Sequence, residues 1–109
     1  MKTRAARTIY ELCVARGGLI KGTRVQAFIA QWAIASQAVG HPLTLLEYQE
    51  WWNLSHGAAY REQARFRELF PELRTPQPIA DVAIAHVEEW LDRGVGGFGK
   101  LPASLVPAA

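Results

Sequence analysis

Residues 44–70 have the sequence TLLEYQEWWNLSHGAAYREQARFRELF, which predicts two short helices joined by a tight turn. Thr44 and Glu47 have the spacing of a capping box, in which each residue bonds the backbone of the other. The first helix is therefore expected to run from about Leu45 to Trp52.

The turn and the second helix follow from the next residues of this stretch. Asn53 accepts the left-handed conformation that ends a helix abruptly, Leu54 follows it, and Ser55 can cap the next helix through its hydroxyl. At about 100° per residue, one face of the second helix packs inward and carries Ala59, Gln63, Phe66, Leu69 and Phe70. The other face points outward and carries Gly57, Arg61, Ala64, Arg65 and Glu68.

This stretch, about a quarter of the chain, resembles the helix-turn-helix family of DNA-binding proteins, whose second helix lies in the major groove. Residues 53–55 fit the family's turn, and Ala59 fits its small buried position. Gln49 stands where the family usually has alanine, and Glu62 stands near a position that is usually apolar. The resemblance implies a small transcriptional regulator that binds double-stranded DNA sequence-specifically.

The outward face of the second helix has side chains suited to a DNA groove. Long cationic or polar side chains reach bases and phosphates, and short ones permit close approach. The predicted DNA-binding residues are Ser55, His56, Gly57, Tyr60, Arg61, Ala64, Arg65 and Arg67. The alternative is a solvated face on which Glu62, Glu68 and Glu72 pair with Arg65 and Arg67 at helical spacing.

Composition indicates one globular domain with an uneven distribution of charge. The chain has 109 residues, half of them apolar, and a net charge of +2. Residues 1–40 carry six basic residues against Glu11, a net of +5. An N-terminal segment contacting phosphates would explain this, as would a basic solvated end. The candidate phosphate contacts are Lys2, Arg4, Arg7, Lys21 and Arg24.

The remaining segments predict a mainly α protein, a compact bundle of four to five helices with a possible short N-terminal hairpin. Residues 4–16 suit a helix ended by Gly17 and Gly18, although a β-hairpin is the alternative. Thr23, with Gln26 as capping-box partner, is expected to begin a helix that stops at Gly40. The single domain would span residues 1–93, and residues 94–109 would form a flexible tail.

A last helix is expected over about residues 76–93, with a broad apolar surface. Its inward face would carry Ile79, Val82, Ala83, His86 and Trp90, widened by Ala80, Ile84, Val87 and Leu91. Such a surface suits the seam of a homodimer, through Ile84, Val87, Trp90 and Leu91, or a helix wedged within its own chain. A homodimer would present two recognition helices to adjacent half-sites.

Several other functions find no support in the sequence. One cysteine, Cys13, excludes an internal disulfide, and the three histidines lie on separate elements without metal-pair spacing. No catalytic motif, cofactor motif, small-molecule site, signal peptide or membrane segment is recognised, so the chain is expected not to be an enzyme. A cytoplasmic, nucleoid-associated protein of a bacterium or phage is the expectation. The alternative function is a helical protein-protein interaction module with no DNA contact.

Overall fold

The fold is known from a computed structural model that describes residues 4–83. This part of the chain forms four helices and no strand, which confirms the mainly α prediction. The N- and C-terminal residues outside it include the predicted tail, residues 94–109. The helices are α1 (Arg4–Val39), α2 (Leu45–Trp51), α3 (His56–Leu69) and α4 (Gln77–Ala83).

Helix α1 is divided into two segments by Gly18. The backbone there has φ 79° and ψ 176°, a conformation that is essentially restricted to glycine. Residues 4–17 form the first segment and residues 19–39 form the second. The helix predicted over residues 4–16 is therefore confirmed, and the β-hairpin alternative is wrong.

The predicted start of the second segment at Thr23 is wrong. The helix is interrupted earlier, at Gly18. Thr23 therefore lies inside the second segment, where its hydroxyl donates to the Leu19 carbonyl at 2.5 Å. Its expected partner, Gln26, is buried. The predicted end is confirmed, since Gly40 has φ 85° and its N–H donates to the Ser36 carbonyl.

The two segments of α1 touch through their backbones at Gly22. A Cβ atom there would lie 2.6 Å from the Cys13 carbonyl oxygen, closer than any real side chain permits. Cys13 itself is fully buried, and burial raises the pKa of its thiol to about 12. It is therefore a protonated, packed residue at neutral pH.

An aromatic cluster joins the second segment of α1 to α2 and α3. The Tyr48 ring stacks on Trp32 with a centroid distance of 5.3 Å and meets Phe28 edge-on at 5.1 Å. Phe28 also contacts Phe66 of α3 at 6.0 Å. Aromatic pairs at such distances add to the free energy of burial. The second segment is consequently the central helix of the core.

Helix α4 is fixed to this core by Gln77. Its Oε1 accepts hydrogen bonds from Trp32 Nε1 at 2.8 Å and from the Leu43 backbone N–H at 3.0 Å. On α4, Ala80 is fully buried and Ile79 is partly buried. The other predicted positions of the last helix lie outside the described residues or side chains. They include the predicted dimer seam, which consists of Ile84, Val87, Trp90 and Leu91.

Arg16 fastens the first segment of α1 to the C-terminal end of α3. Its guanidinium donates to the Leu69 carbonyl and to Glu72 Oε1, both at 2.8 Å, and lies 4.6 Å from the centroid of the Phe70 ring. The hydrogen bond from Arg16 is the main reason why the pKa of Glu72 lies below its usual value. A helix C-terminus leaves carbonyls without internal partners, and Arg16 satisfies one of them.

Replacing Gly22 by alanine is expected to lower the free energy of unfolding by about 1 to 3 kcal/mol, because the two segments must separate. Gly57→Ala is the matched control. Its Cβ would meet only the end of the Arg61 side chain, at 3.4 Å. Alanine should therefore stabilise that helix by about 0.5 to 1 kcal/mol. Urea unfolding followed by tryptophan fluorescence measures both, and equal effects would contradict the close approach at Gly22.

Arg16→Met is expected to lower the free energy of unfolding by about 1 to 2 kcal/mol, since the Leu69 carbonyl loses its charged donor. Lys21→Met is the control, because it removes only an exposed ion pair and should change stability little.

The Arg16 contact also predicts a dependence on pH. A lowered folded-state pKa for Glu72 stabilises the fold above the ordinary value of 4.5 and ceases to do so as pH falls through the folded value. In Arg16→Met, the pKa of Glu72 should move back towards 4.5 in a carboxyl NMR titration. An unchanged Glu72 titration would show that Arg16 does not hold this carboxylate.

Candidate functional site

The unit formed by α2, its turn and α3 has the caps that its sequence predicts. Thr44 Oγ1 accepts from the Glu47 N–H at 3.2 Å, and Glu47 Oε1 accepts from the Thr44 N–H at 3.0 Å. Asn53 has φ 52°, and Ser55 Oγ accepts from the Ala58 N–H at 3.1 Å. The two helices and the turn between them are thus confirmed, with α2 ending at Trp51, one residue before the predicted end.

The inner face of α3 is also as predicted. Ala59, Phe66, Leu69 and Phe70 are buried in the core. Gln63 is half-buried, and its Nε2 donates to the Arg74 carbonyl at 3.3 Å. With this face fixed, the opposite face of α3 is turned towards solvent.

Glu62, one of the two departures from the helix-turn-helix pattern, binds a buried tyrosine. The Tyr48 hydroxyl lies 2.7 Å from Glu62 Oε2 and 2.8 Å from Gln31 Oε1. Burial, reinforced by the Glu62 carboxylate, raises the pKa of Tyr48, so the phenol keeps its proton. Glu62 therefore holds α3 against α2 and α1 and does not belong to the outer face.

Gln49, the other departure from the pattern, leaves a polar atom without a partner. Its Oε1 is buried and accepts no hydrogen bond from any residue in the part of the chain that the structure describes. The family's usual alanine would carry no such group. We have no physical account of why glutamine stands here.

The predicted DNA-binding residues lie together on the outer face of α3 and at its start. Arg65 is half-buried, and the others are exposed: Ser55, His56, Gly57, Tyr60, Arg61, Ala64 and Arg67. From the helical rotation, Gly57 and Ala64 follow the middle of this face. Arg61 and Arg65 lie along one edge, and Tyr60 and Arg67 lie along the other.

The acidic residues near this face are engaged by other helices. Glu68 accepts from Lys21 Nζ at 2.7 Å, and this hydrogen bond is the main cause of its lowered pKa. Glu72 is bound by Arg16 and Glu62 by Tyr48. Within residues 4–83, Arg61, Arg65 and Arg67 form no salt bridge. The salt bridges expected between these carboxylates and Arg65 or Arg67 are therefore not formed, although the positive charge of Arg65 also contributes to the lowered pKa of Glu68.

The predicted phosphate contacts divide into three groups. Lys21 is held by Glu68, whereas Arg24 is exposed and has no salt bridge to any described residue. The side chains of Lys2, Arg4 and Arg7 lie outside the description. On α2, in contrast, Glu50 is exposed and Glu47 half-buried, so its surface carries negative charge.

The sequence reasoning did not identify the neighbours of Arg65. Arg24, Leu19 and Ile20 of α1 line the same open groove as Arg65. Leu19 and Ile20 remain exposed although both are large aliphatic residues. The only signal in the sequence is an apolar pair that directly follows two glycines, and this does not reveal which helix lies beside it.

The described residues were compared with the requirements of a metal site and of a membrane-spanning helix. No three histidine, cysteine, aspartate or glutamate side chains among them are grouped as a metal ion requires. None of the helices described is long and apolar enough to cross a membrane.

The chemistry of the α3 face is that of an anion-binding surface. Guanidinium groups donate paired hydrogen bonds to phosphate, carboxylate or guanine acceptors, and the two small residues between them let a ligand approach the backbone.

Comparison of the chain with protein-family models, with curated proteins and with solved structures found no match.

Proposed function

We propose that this protein binds double-stranded DNA through the outer face of α3. One observation carries the proposal: the arginines of this face are unpaired, because the neighbouring carboxylates bind groups from other helices. A cation already neutralised by its own helix would have to break that pair before it bound a phosphate. Arg61 and Arg67 have no such cost, whereas Arg65 would give up an electrostatic interaction with Glu68.

In the proposed complex, α3 lies in the major groove with Gly57 and Ala64 against the base edges. Arginine can bond guanine O6 and N7 together, and tyrosine offers both a hydroxyl and an apolar ring. Tyr60 and Arg67, on one edge, are the candidates for base contacts. Ser55 and His56, at the N-terminal end of the helix, are placed to meet the backbone of one strand.

The charges around α3 favour one orientation on the duplex. Glu47 and Glu50 make the α2 side unfavourable for phosphates, whereas Arg24 of α1 adds a free guanidinium beside Arg65. We infer that one DNA strand follows the Arg61 and Arg65 edge and reaches Arg24. Arg24 is then a phosphate contact, and Lys21 is a support that engages Glu68.

The proposed role is that of a small transcriptional regulator that acts as a homodimer. Two copies of α3 would then bind half-sites about 34 Å apart, one turn of the duplex. The residues proposed for the dimer seam are Ile84, Val87, Trp90 and Leu91.

A second candidate function is a helical protein-interaction module without DNA contact. It is favoured by the exposure of large apolar side chains on the surface of the fold. Leu19 and Ile20 of α1 are adjacent, and their side chains are 65% and 77% exposed. Scattered apolar residues are ordinary on protein surfaces, but adjacent ones often mark a contact.

The DNA proposal is tested with the double substitution Arg61→Ala and Arg65→Ala. Fluorescence anisotropy with random-sequence duplex at about 50 mM and about 200 mM salt should show steeply salt-dependent binding by the unaltered protein. Each phosphate contact removed should reduce the slope of log affinity against log salt by about 0.9. The double variant should bind more than about tenfold more weakly at the lower salt concentration.

Arg74→Ala is the matched control, because Arg74 is exposed, lies outside α3 and bonds Gln63 only through its backbone. Circular dichroism establishes that the variants keep their helices. Unaltered affinity in the double variant, or an equal loss in Arg74→Ala, would reject the α3 face as the DNA site. No binding by the unaltered protein at low salt would favour the protein-interaction module.

A further inference from the structure

An open groove lies between the second segment of α1 and α3. Its volume is about 560 Å³, within the range of sites that bind small ligands or a few side chains. It begins beside Gly18, where the chain turns from the first segment of α1 into the second. The residues that line it are Gly17, Leu19, Ile20, Lys21, Arg24 and Arg65.

One part of this groove is apolar and open to solvent. Leu19 is 65% exposed and Ile20 is 77% exposed, the two highest values among the exposed large apolar residues. The break at Gly18 places both side chains at the start of a helical segment. A partner that covers them gains from removing aliphatic surface from water.

The other part of the groove is cationic. Arg24 and Arg65 form no salt bridge within residues 4–83, so their guanidinium groups can bond a ligand, although Arg65 also interacts electrostatically with Glu68. Lys21 also lines the groove, but its ammonium group is held by Glu68 at 2.7 Å. The free positive charge is therefore carried by two arginines, whose planar forks match carboxylates.

We propose that this groove binds a short segment of a partner protein in which aspartate or glutamate flanks one or two bulky apolar side chains. The apolar side chains lie against Leu19 and Ile20, and the carboxylates bond Arg24 and Arg65. The occupant is a peptide segment rather than a lipid surface, because two helices contribute to the site and its charge is carried by separate guanidinium groups that match individual carboxylates. The groove is argued from its own residues and does not depend on DNA binding.

The partner is identified by selection from a library of displayed random short peptides. Peptides that bind the double variant Leu19→Ser and Ile20→Ser are first removed, and the rest are selected for binding to the unaltered protein. We expect the selected peptides to combine acidic residues with leucine, isoleucine, phenylalanine or tryptophan. Their affinity, measured by fluorescence anisotropy, should be about tenfold weaker for the double serine variant and for Arg24→Ala.

Two matched controls share the chemistry of these changes but lie outside the groove. Leu46→Ser replaces an aliphatic residue that is 60% exposed on α2, and Arg74→Ala removes an unpaired arginine outside α1. Both should bind the selected peptides as the unaltered protein does. Because Leu19, Ile20 and Arg24 are exposed, all four variants are expected to keep the unaltered helical signal in circular dichroism.

Three outcomes would overturn the proposal: no peptides that depend on Leu19 and Ile20, selected peptides without acidic residues, or equal weakening by the control substitutions. The lipid alternative is tested in a parallel experiment with vesicles of phosphatidylcholine that contain phosphatidylserine. Vesicle binding that is lost in the double serine variant, without peptide binding, would identify a lipid-binding surface. Arg61 is unchanged in all of these variants. A negative result for peptide binding therefore does not decide whether α3 binds DNA, which is tested separately.

Discussion

The close approach of Gly22 to the Cys13 carbonyl is the contact on which the rest of the structure depends. In an unbroken helix these residues would be about 14 Å apart along the axis, so the contact requires the break at Gly18. The break turns the first segment of α1 back across the second. Gly17 then packs against Leu69, where a Cβ atom would lie 2.9 Å from the Leu69 side chain. The end of α3 is consequently held by the first segment of α1.

This arrangement decides the charge of the α3 face. Arg16 and Lys21, on either side of the Gly18 break, bind Glu72 and Glu68. On an isolated α3, Glu68 would have only the neighbouring arginines as partners, and these would be partly neutralised. The exposed pairs themselves contribute little stability. Their larger effect is to leave Arg61, Arg65 and Arg67 without a salt bridge to any described residue.

Local signals in the sequence predicted the parts of the fold that local chemistry determines. The caps at Thr44 and Ser55, the left-handed Asn53 and the stop at Gly18 each depend on residues within one turn of the chain. The same kind of reasoning failed at Thr23, because a capping pattern does not reveal that a helix has already begun. The Lys21–Glu68 pair joins residues far apart in the sequence, so helical spacing alone did not predict the main partner of Glu68. The exposure of Leu19 and Ile20 was likewise not predicted, because it depends on how the helices cross and not on neighbouring residues in the sequence.

Arg65 belongs to both of the surfaces proposed here, and its position sets how they relate. It is half-buried between α1 and α3, with the outer face of α3 on one side and the Leu19 and Ile20 groove on the other. A guanidinium that bonds a phosphate with its paired donors has few left for a carboxylate, so the two ligands would oppose each other at this residue. The remaining contacts differ, because a phosphate strand gains from Arg61 and an acidic peptide gains from the aliphatic pair. Because Arg24 is shared as well, an acidic partner in the groove would weaken DNA binding through loss of two cations, while the rest of the α3 face stays exposed.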